Sequence, residues 1–86
     1  MKAKVVFRVF KDGQVIALFP YVDYNNRGEC LSYMHIGQHS GADYDYCVKM
    51  SRLADESEYK PLKKELEDIG YNLKVVKRKH KGYGDF

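Results

Sequence analysis

Asp12-Gly13 separates two runs, Val5 to Phe10 and Val15 to Tyr21, that are rich in β-branched and aromatic residues. No other feature of the chain limits the fold as strongly. This dipeptide between such runs is a hairpin signal, because both central residues of a type I′ turn need φ > 0. With Asp12-Gly13 as a two-residue loop, Phe10 pairs with Val15, Val9 with Ile16, Phe7 with Leu18 and Val5 with Pro20. One face of the hairpin then carries Val5, Phe7, Val9, Ile16 and Leu18, is wholly apolar, and calls for a helix over it. The other carries Lys4, Val6, Arg8, Phe10, Val15, Ala17, Phe19 and Tyr21, a mixture too apolar for a freely solvated surface. Phe10, Val15, Phe19 and Tyr21 are therefore the expected partner interface, most simply with a second copy across a two-fold axis.

Downstream, Asp23 to Glu29 reads as a polar loop turning at Asn25-Asn26-Arg27-Gly28. Cys30 to Ile36 alternates like a third strand, and Gly37 to Asp43 reads as the next turn. Tyr44 to Leu53 then reads as a fourth strand with Tyr44, Tyr46, Val48 and Met50 on one side; a short helix from Asp43 is the competing reading. Tyr59, Leu62, Leu66 and Ile69 recur at the spacing of a helix packed on one side. Asp55 and Glu58 have the spacing of a capping box. Pro61 favours Ser57 as the N-cap instead, since this brings the proline closer to the first turn, so the helix start falls between residues 56 and 58. Gly70 suits the left-handed stop, and Tyr71 to Lys79 reads as a last strand antiparallel to the first. The order β-β-β-β-α-β predicts a two-layer α+β domain, an antiparallel sheet with one helix on one face. It occupies residues 1–80, with 81–86 as a frayed tail.

The chain has 86 residues, enough for one thin core. With 44% hydrophobic and 31% charged residues it has the composition of an ordered soluble domain. No apolar run approaches the ~20 residues that span a bilayer, so no membrane association is expected. The segment Met1 to Arg8 starts basic but has no apolar h-region, and reads as a strand; a cytoplasmic location is the expectation. Cys30 and Cys47 have no metal or redox spacing and are expected to be free thiols. The formal charge is +3, unevenly spread: residues 55–68 hold six acids against three lysines, while five cations fall between Lys74 and Lys81.

The densest chemistry lies in His35 to Tyr46, where two histidines, two glycines, an amide, a hydroxyl, two acids and two tyrosines occur within twelve residues. His35, Gln38, His39, Asp43 and Tyr44 are the candidate ligand- or partner-facing residues of this loop. A shared metal at His35 and His39 needs helical spacing, which the glycines oppose. On a continuous strand the two lie roughly 13 Å apart, too far for zinc bonds of about 2.0–2.1 Å. No metal or other cofactor is expected. A nucleophile at Cys47 or Cys30 activated by His35 or His39, with Asp43 as orienting group, has the right residue types but no protease signature. Gly37-Gln38-His39-Ser40-Gly41 offers backbone N–H groups to an anion, yet a turn needing φ > 0 accounts for both glycines more simply. Lys74, Lys77, Arg78 and Lys79, with Tyr71 and Tyr83 nearby, have the composition of a phosphate-tracking segment. As an edge strand, the same lysines would instead prevent edge-to-edge association, and the pI of 8.8 is below the usual nucleic-acid range.

The run Val5-Val6-Phe7-Arg8, then Asp12-Gly13-Gln14-Val15-Ile16-Ala17-Leu18-Phe19-Pro20, then Ser32-Tyr33-Met34-His35-Ile36-Gly37-Gln38-His39, then Glu58-Tyr59, Leu62 and Glu65-Leu66, resembles a family of small uncharacterised proteins of gut Bacteroidetes. The resemblance extends to about Arg78 and implies a single small domain without implying an activity. The expected function is that of a non-enzymatic interaction module acting as a homodimer. The alternatives are a nucleic-acid-binding accessory protein using Lys74 to Lys81, and a metal- or cysteine-dependent enzyme centred on His35, His39 and Cys47.

Overall fold

The first hairpin forms, but it closes one residue away from the expected register. In the computed structural model, which describes residues 2–25, 28–34 and 38–77, β1 (Ala3–Phe10) and β2 (Val15–Asp23) are antiparallel with Val9 opposite Val15, Arg8 opposite Ile16, Phe7 opposite Ala17 and Val6 opposite Leu18. Phe10 N–H donates to the Gln14 carbonyl and Gly13 N–H to the Phe10 carbonyl, both at 2.9 Å. Gly13 has φ +90°. This is a three-residue loop with its left-handed position on the glycine. The type I′ alternative demands φ > 0 at Asp12 as well; here the Asp12 carboxylate accepts the Gln14 N–H instead, at 3.0 Å. Because strand side chains alternate with period two, a slip of one residue exchanges the faces of the whole strand. Val15, Ala17 and Phe19 join Val5, Phe7 and Val9 in one cluster, while Ile16 and Leu18 join Val6 in another on the opposite face.

β3 (Cys30–Met34) pairs with β2 through a register shift between Phe19 and Asp23, and β4 (Gln38–Ala42) pairs with β3. The segment read as a turn is thus largely strand, and the segment read as a fourth strand divides into α1 (Tyr44–Lys49) and β5 (Ser51–Leu53). Asp43 decides this, its carboxylate accepting the Tyr46 N–H at 3.2 Å as the N-cap of α1. Gly41 lies inside β4 and is not at positive φ. Its role is room, since a Cβ there would collide with the Tyr24 ring.

The sheet order is β4-β3-β2-β1, and β5 and β6 (Leu73–Val75) share the far edge of β1. β5 runs antiparallel along Arg8–Phe10, whereas β6 runs parallel along Ala3–Val5. The last strand, expected to run antiparallel to the first, instead pairs with it in parallel. The two helices explain the reversal. α1 takes the chain across one face to the far side of β1, and α2 (Glu56–Ile69) packs on the other face before returning it to the same edge.

α2 is capped by Asp55, not Ser57, with both bonds of the capping box made: Glu58 N–H to Asp55 at 3.1 Å and Asp55 N–H to Glu58 at 3.0 Å. Pro61 is tolerated inside the helix because the carbonyl that loses its partner belongs to exposed Ser57. Leu62 and Leu66 are buried, and Tyr59 stacks on Phe7 with ring centroids 4.5 Å apart. Ile69, expected on this stripe, is 54% exposed. Gly70 at φ +125° turns the chain, Tyr71 N–H reaches the Leu66 carbonyl at 3.1 Å, and the Tyr71 ring settles on Phe19 at 5.2 Å. The architecture is a small α+β domain, an open and mainly antiparallel sheet with one main helix against it. Among the described residues, no helix is long and apolar enough to cross a membrane. The 81–86 segment lies outside the described residues.

Candidate functional site

The register slip dismantles the interface expected on the hairpin. Phe19 is fully buried beneath α2, and Val15 packs against the same cluster. Phe10 turns to the opposite face, against the cluster of Val6, Ile16, Leu18, Cys30, Ala42 and Cys47, while Tyr21 is 40% exposed. The four side chains do not share one face. The apolar back of the sheet is covered by the chain itself, since Cys47 of α1 is buried there with Tyr44 packed beside it. Arg8 holds this cover in place, donating from Nε to Ser51 Oγ at 3.0 Å and from Nη2 to the Val48 and Ser51 carbonyls at 3.0 and 2.8 Å. The Ser51 hydroxyl in turn donates to the Cys47 carbonyl.

Of the loop candidates, His35 and the Gln38 side chain lie outside the described residues. His39 sits opposite Tyr33 across β3 and β4, with its ring edge-on to Tyr33 at 4.7 Å. Its Nε2 shares a hydrogen bond with the Tyr71 hydroxyl at 2.9 Å. Buried Tyr33 donates its hydroxyl to Glu65 Oε1 at 2.6 Å. These four polar groups form a seam joining the β4 edge of the sheet to α2 and to the segment after it. The seam lies on the α2 face, while Cys30 and Cys47 lie on the other, so the sheet separates His39 from both thiols. Asp43 is engaged in capping α1. Burial, and then the charge of Asp43, push the Cys47 thiol up from its ordinary value, which disfavours the thiolate a nucleophile needs. Among the described residues, no group of three or more His, Cys, Asp or Glu side chains is placed to hold a metal ion.

Lys74 stands in register with Lys4 on one face of the β1–β6 pair, and the Lys4 ammonium lies 5.5 Å from the centre of the Tyr21 ring. Lys77 is exposed. Arg78 and Lys79 lie outside the described residues. The register thus sets Lys74 of the basic segment next to Lys4, which itself lies against an aromatic ring.

A concavity that the sequence did not suggest opens where Phe10 meets Ser51 at the end of the β1–β5 pair. It encloses about 390 Å³ between the hairpin turn, the end of α1 and the start of α2. Phe10, Met50 and Ser51 line it together with the charged Lys11, Lys49, Arg52 and Glu58. Arg52 and Glu58 form a two-pronged ion pair, Nη1 to Oε1 at 2.7 Å and Nη2 to Oε2 at 2.5 Å. The hydrogen bond from Arg52, then that from the Asp55 backbone, hold the Glu58 carboxyl down at about 2. The Met50-Ser51-Arg52 sequence carries no local sign of this cleft, because the pairing of Phe10 with Ser51 is long-range. No protein family, curated protein or solved structure matches the chain.

Proposed function

We propose that the chain is a non-enzymatic protein-interaction module whose contact surface is the cleft between the hairpin turn and the α1–β5 junction. One observation carries this reading: a concavity of about 390 Å³ brings exposed Met50 and half-buried Phe10 together with Lys11 and Lys49, two lysines outside any ion pair among the described residues. Elsewhere the polar side chains that suggested chemistry make internal bonds, as Glu65–Tyr33, His39–Tyr71 and the Asp43 and Asp55 caps illustrate. A concavity of this size is at the lower end of the range used to hold ligands. The two buried free thiols suit a reducing compartment, and the cytoplasm is the proposed location. Homodimerisation remains a proposal, through a contact other than the hairpin face. Peptides selected on the immobilised chain from a random library should lose binding to the Met50→Asp variant. Binders indifferent to that change would overturn the assignment of the surface.

A second reading, nucleic-acid binding, draws support from the Lys4–Lys74 register beside Tyr21. It requires salt-sensitive binding of single-stranded DNA or RNA that falls in a Lys74→Ala, Lys77→Ala double variant. Binding that is absent, or unchanged in that variant, would remove it.

A further inference from the structure

Independently of the cleft, we infer that the outer edge of β4 docks a second copy of this chain, the two β4 strands pairing antiparallel about a two-fold axis. The hydrogen-bond phase of the sheet fixes which backbone groups β4 presents. Phe7 turns its carbonyl away from β2, where it accepts the Ala54 N–H at 3.0 Å. Consecutive residues of an antiparallel strand address opposite edges. Ala17, opposite Phe7, therefore faces β3. Tyr33, opposite Ala17, faces β2, so its neighbour Ser32 faces β4. Ser40, opposite Ser32, faces back toward β3, and its carbonyl does accept the Ser32 hydroxyl at 2.9 Å. His39 and Gly41, on either side of Ser40, thus direct their N–H and C=O groups outward. Among the described residues no strand pairs with that side, and no backbone bond outside the β3–β4 ladder reaches either residue.

The two edges of the sheet differ in how they are guarded. The β1 edge is filled by β5 and β6, strands of three residues each that run in opposite senses and carry Arg52 and Lys74. Short strands and cations are common protection against edge pairing. β4 has five residues, none of them Lys, Arg, Asp, Glu or Pro, and pairs with β3 without a bulge. A row of backbone donors and acceptors also specifies its occupant, since another extended backbone matches the spacing. A second β4 matches it symmetrically. With Ser40 on the two-fold axis, His39 lies opposite Gly41 of the second copy, and each such pair exchanges both of its hydrogen bonds. The imidazole then passes over a residue without a side chain, beside the half-exposed Tyr24 ring that fills the open side of Gly41. Like charges stay apart, because this register holds the two Asp43 residues roughly 20 Å from each other. The pairing uses the same edge of both copies and so closes at a dimer. A contact this small is below the standard interface size, so the dimer should dissociate on dilution.

The test is sedimentation of the whole chain from micromolar to millimolar concentration, with Ser40→Lys and Ser40→Glu as variants of an exposed position. The unsubstituted chain should associate reversibly to a dimer. Each variant alone should dimerise more weakly by roughly fivefold or more, because like charges directly opposite one another oppose strand pairing. An equimolar mixture of the two should recover the dimer, an outcome that damage to the fold could not produce. Amide hydrogen exchange supplies a second readout: His39 and Gly41 should slow as concentration rises, while Ser40, bonded to β3, stays slow throughout. A dimer that both variants keep, or a mixture that fails to reassociate, would overturn the pairing. A chain that stays monomeric would overturn it too, and would leave the edge to an extended segment of a different protein.

Discussion

Glu58 serves three structural purposes with one carboxylate: it completes the cap of α2, accepts two bonds from Arg52, and so links β5 to the helix that follows. Its carboxyl is lowered from an ordinary 4.5 to about 2. A group whose folded value is depressed contributes stability that is fully present above the unfolded value and is lost as pH falls toward the folded one. Acid titration of stability should therefore show a Glu58-dependent loss between about pH 4.5 and pH 2, and Glu58→Gln should flatten that limb in denaturant melts. An unchanged acid limb in the variant would count against the ion pair. Phe19 makes a second test at this scale. Its ring is fully buried and stacked on Tyr71, so Phe19→Glu should cost at least ~3 kcal/mol by losing the packing and burying a charge. Circular dichroism should report a largely unfolded chain. A folded Phe19→Glu protein that merely dissociates would instead restore Phe19 to a surface.

At the scale of elements, the sequence was most legible where local chemistry decides. The stripe of Tyr59, Leu62 and Leu66, the Asp55–Glu58 spacing and Gly70 are all short-range signals, and α2 follows them closely. The hairpin was legible as a hairpin, but its register turned on whether the left-handed position falls on one residue or two. Tyr44, Tyr46, Val48 and Met50 suit a strand by alternation, yet the Asp43 cap favours a helix. Once α1 crosses the back of the sheet, the direction and neighbours of β5 and β6 follow from long-range pairings that no local pattern encodes. The cleft was illegible for the same reason. Removal of the cap should expose this dependence: Asp43→Ala should weaken α1 by about 1 kcal/mol and speed the reaction of buried Cys47 with a thiol reagent. Equal rates in the two proteins would show that α1 does not depend on Asp43.

Across the whole molecule, the two helices divide the sheet's faces between them. α2 closes the cluster containing Phe7, Phe19 and Tyr33, and α1 closes the one containing Val6, Leu18 and Cys30. With both faces covered at their centres, the exposed apolar groups include Tyr46, Met50 and Leu53 around α1 and β5, and Tyr21 and Val22 at the far end of β2. The cleft lies beside the first group and the Lys4–Lys74 pair beside the second, so the competing readings occupy different places. Backbone amide shift mapping distinguishes them in one titration. Addition of a peptide selected from the random library should move the resonances of Phe10 to Gly13 and Lys49 to Arg52 and leave those of Lys4, Tyr21 and Lys74 in place. Shifts concentrated at Lys4, Tyr21 and Lys74, with the cleft silent, would contradict the assignment of the cleft as the contact surface.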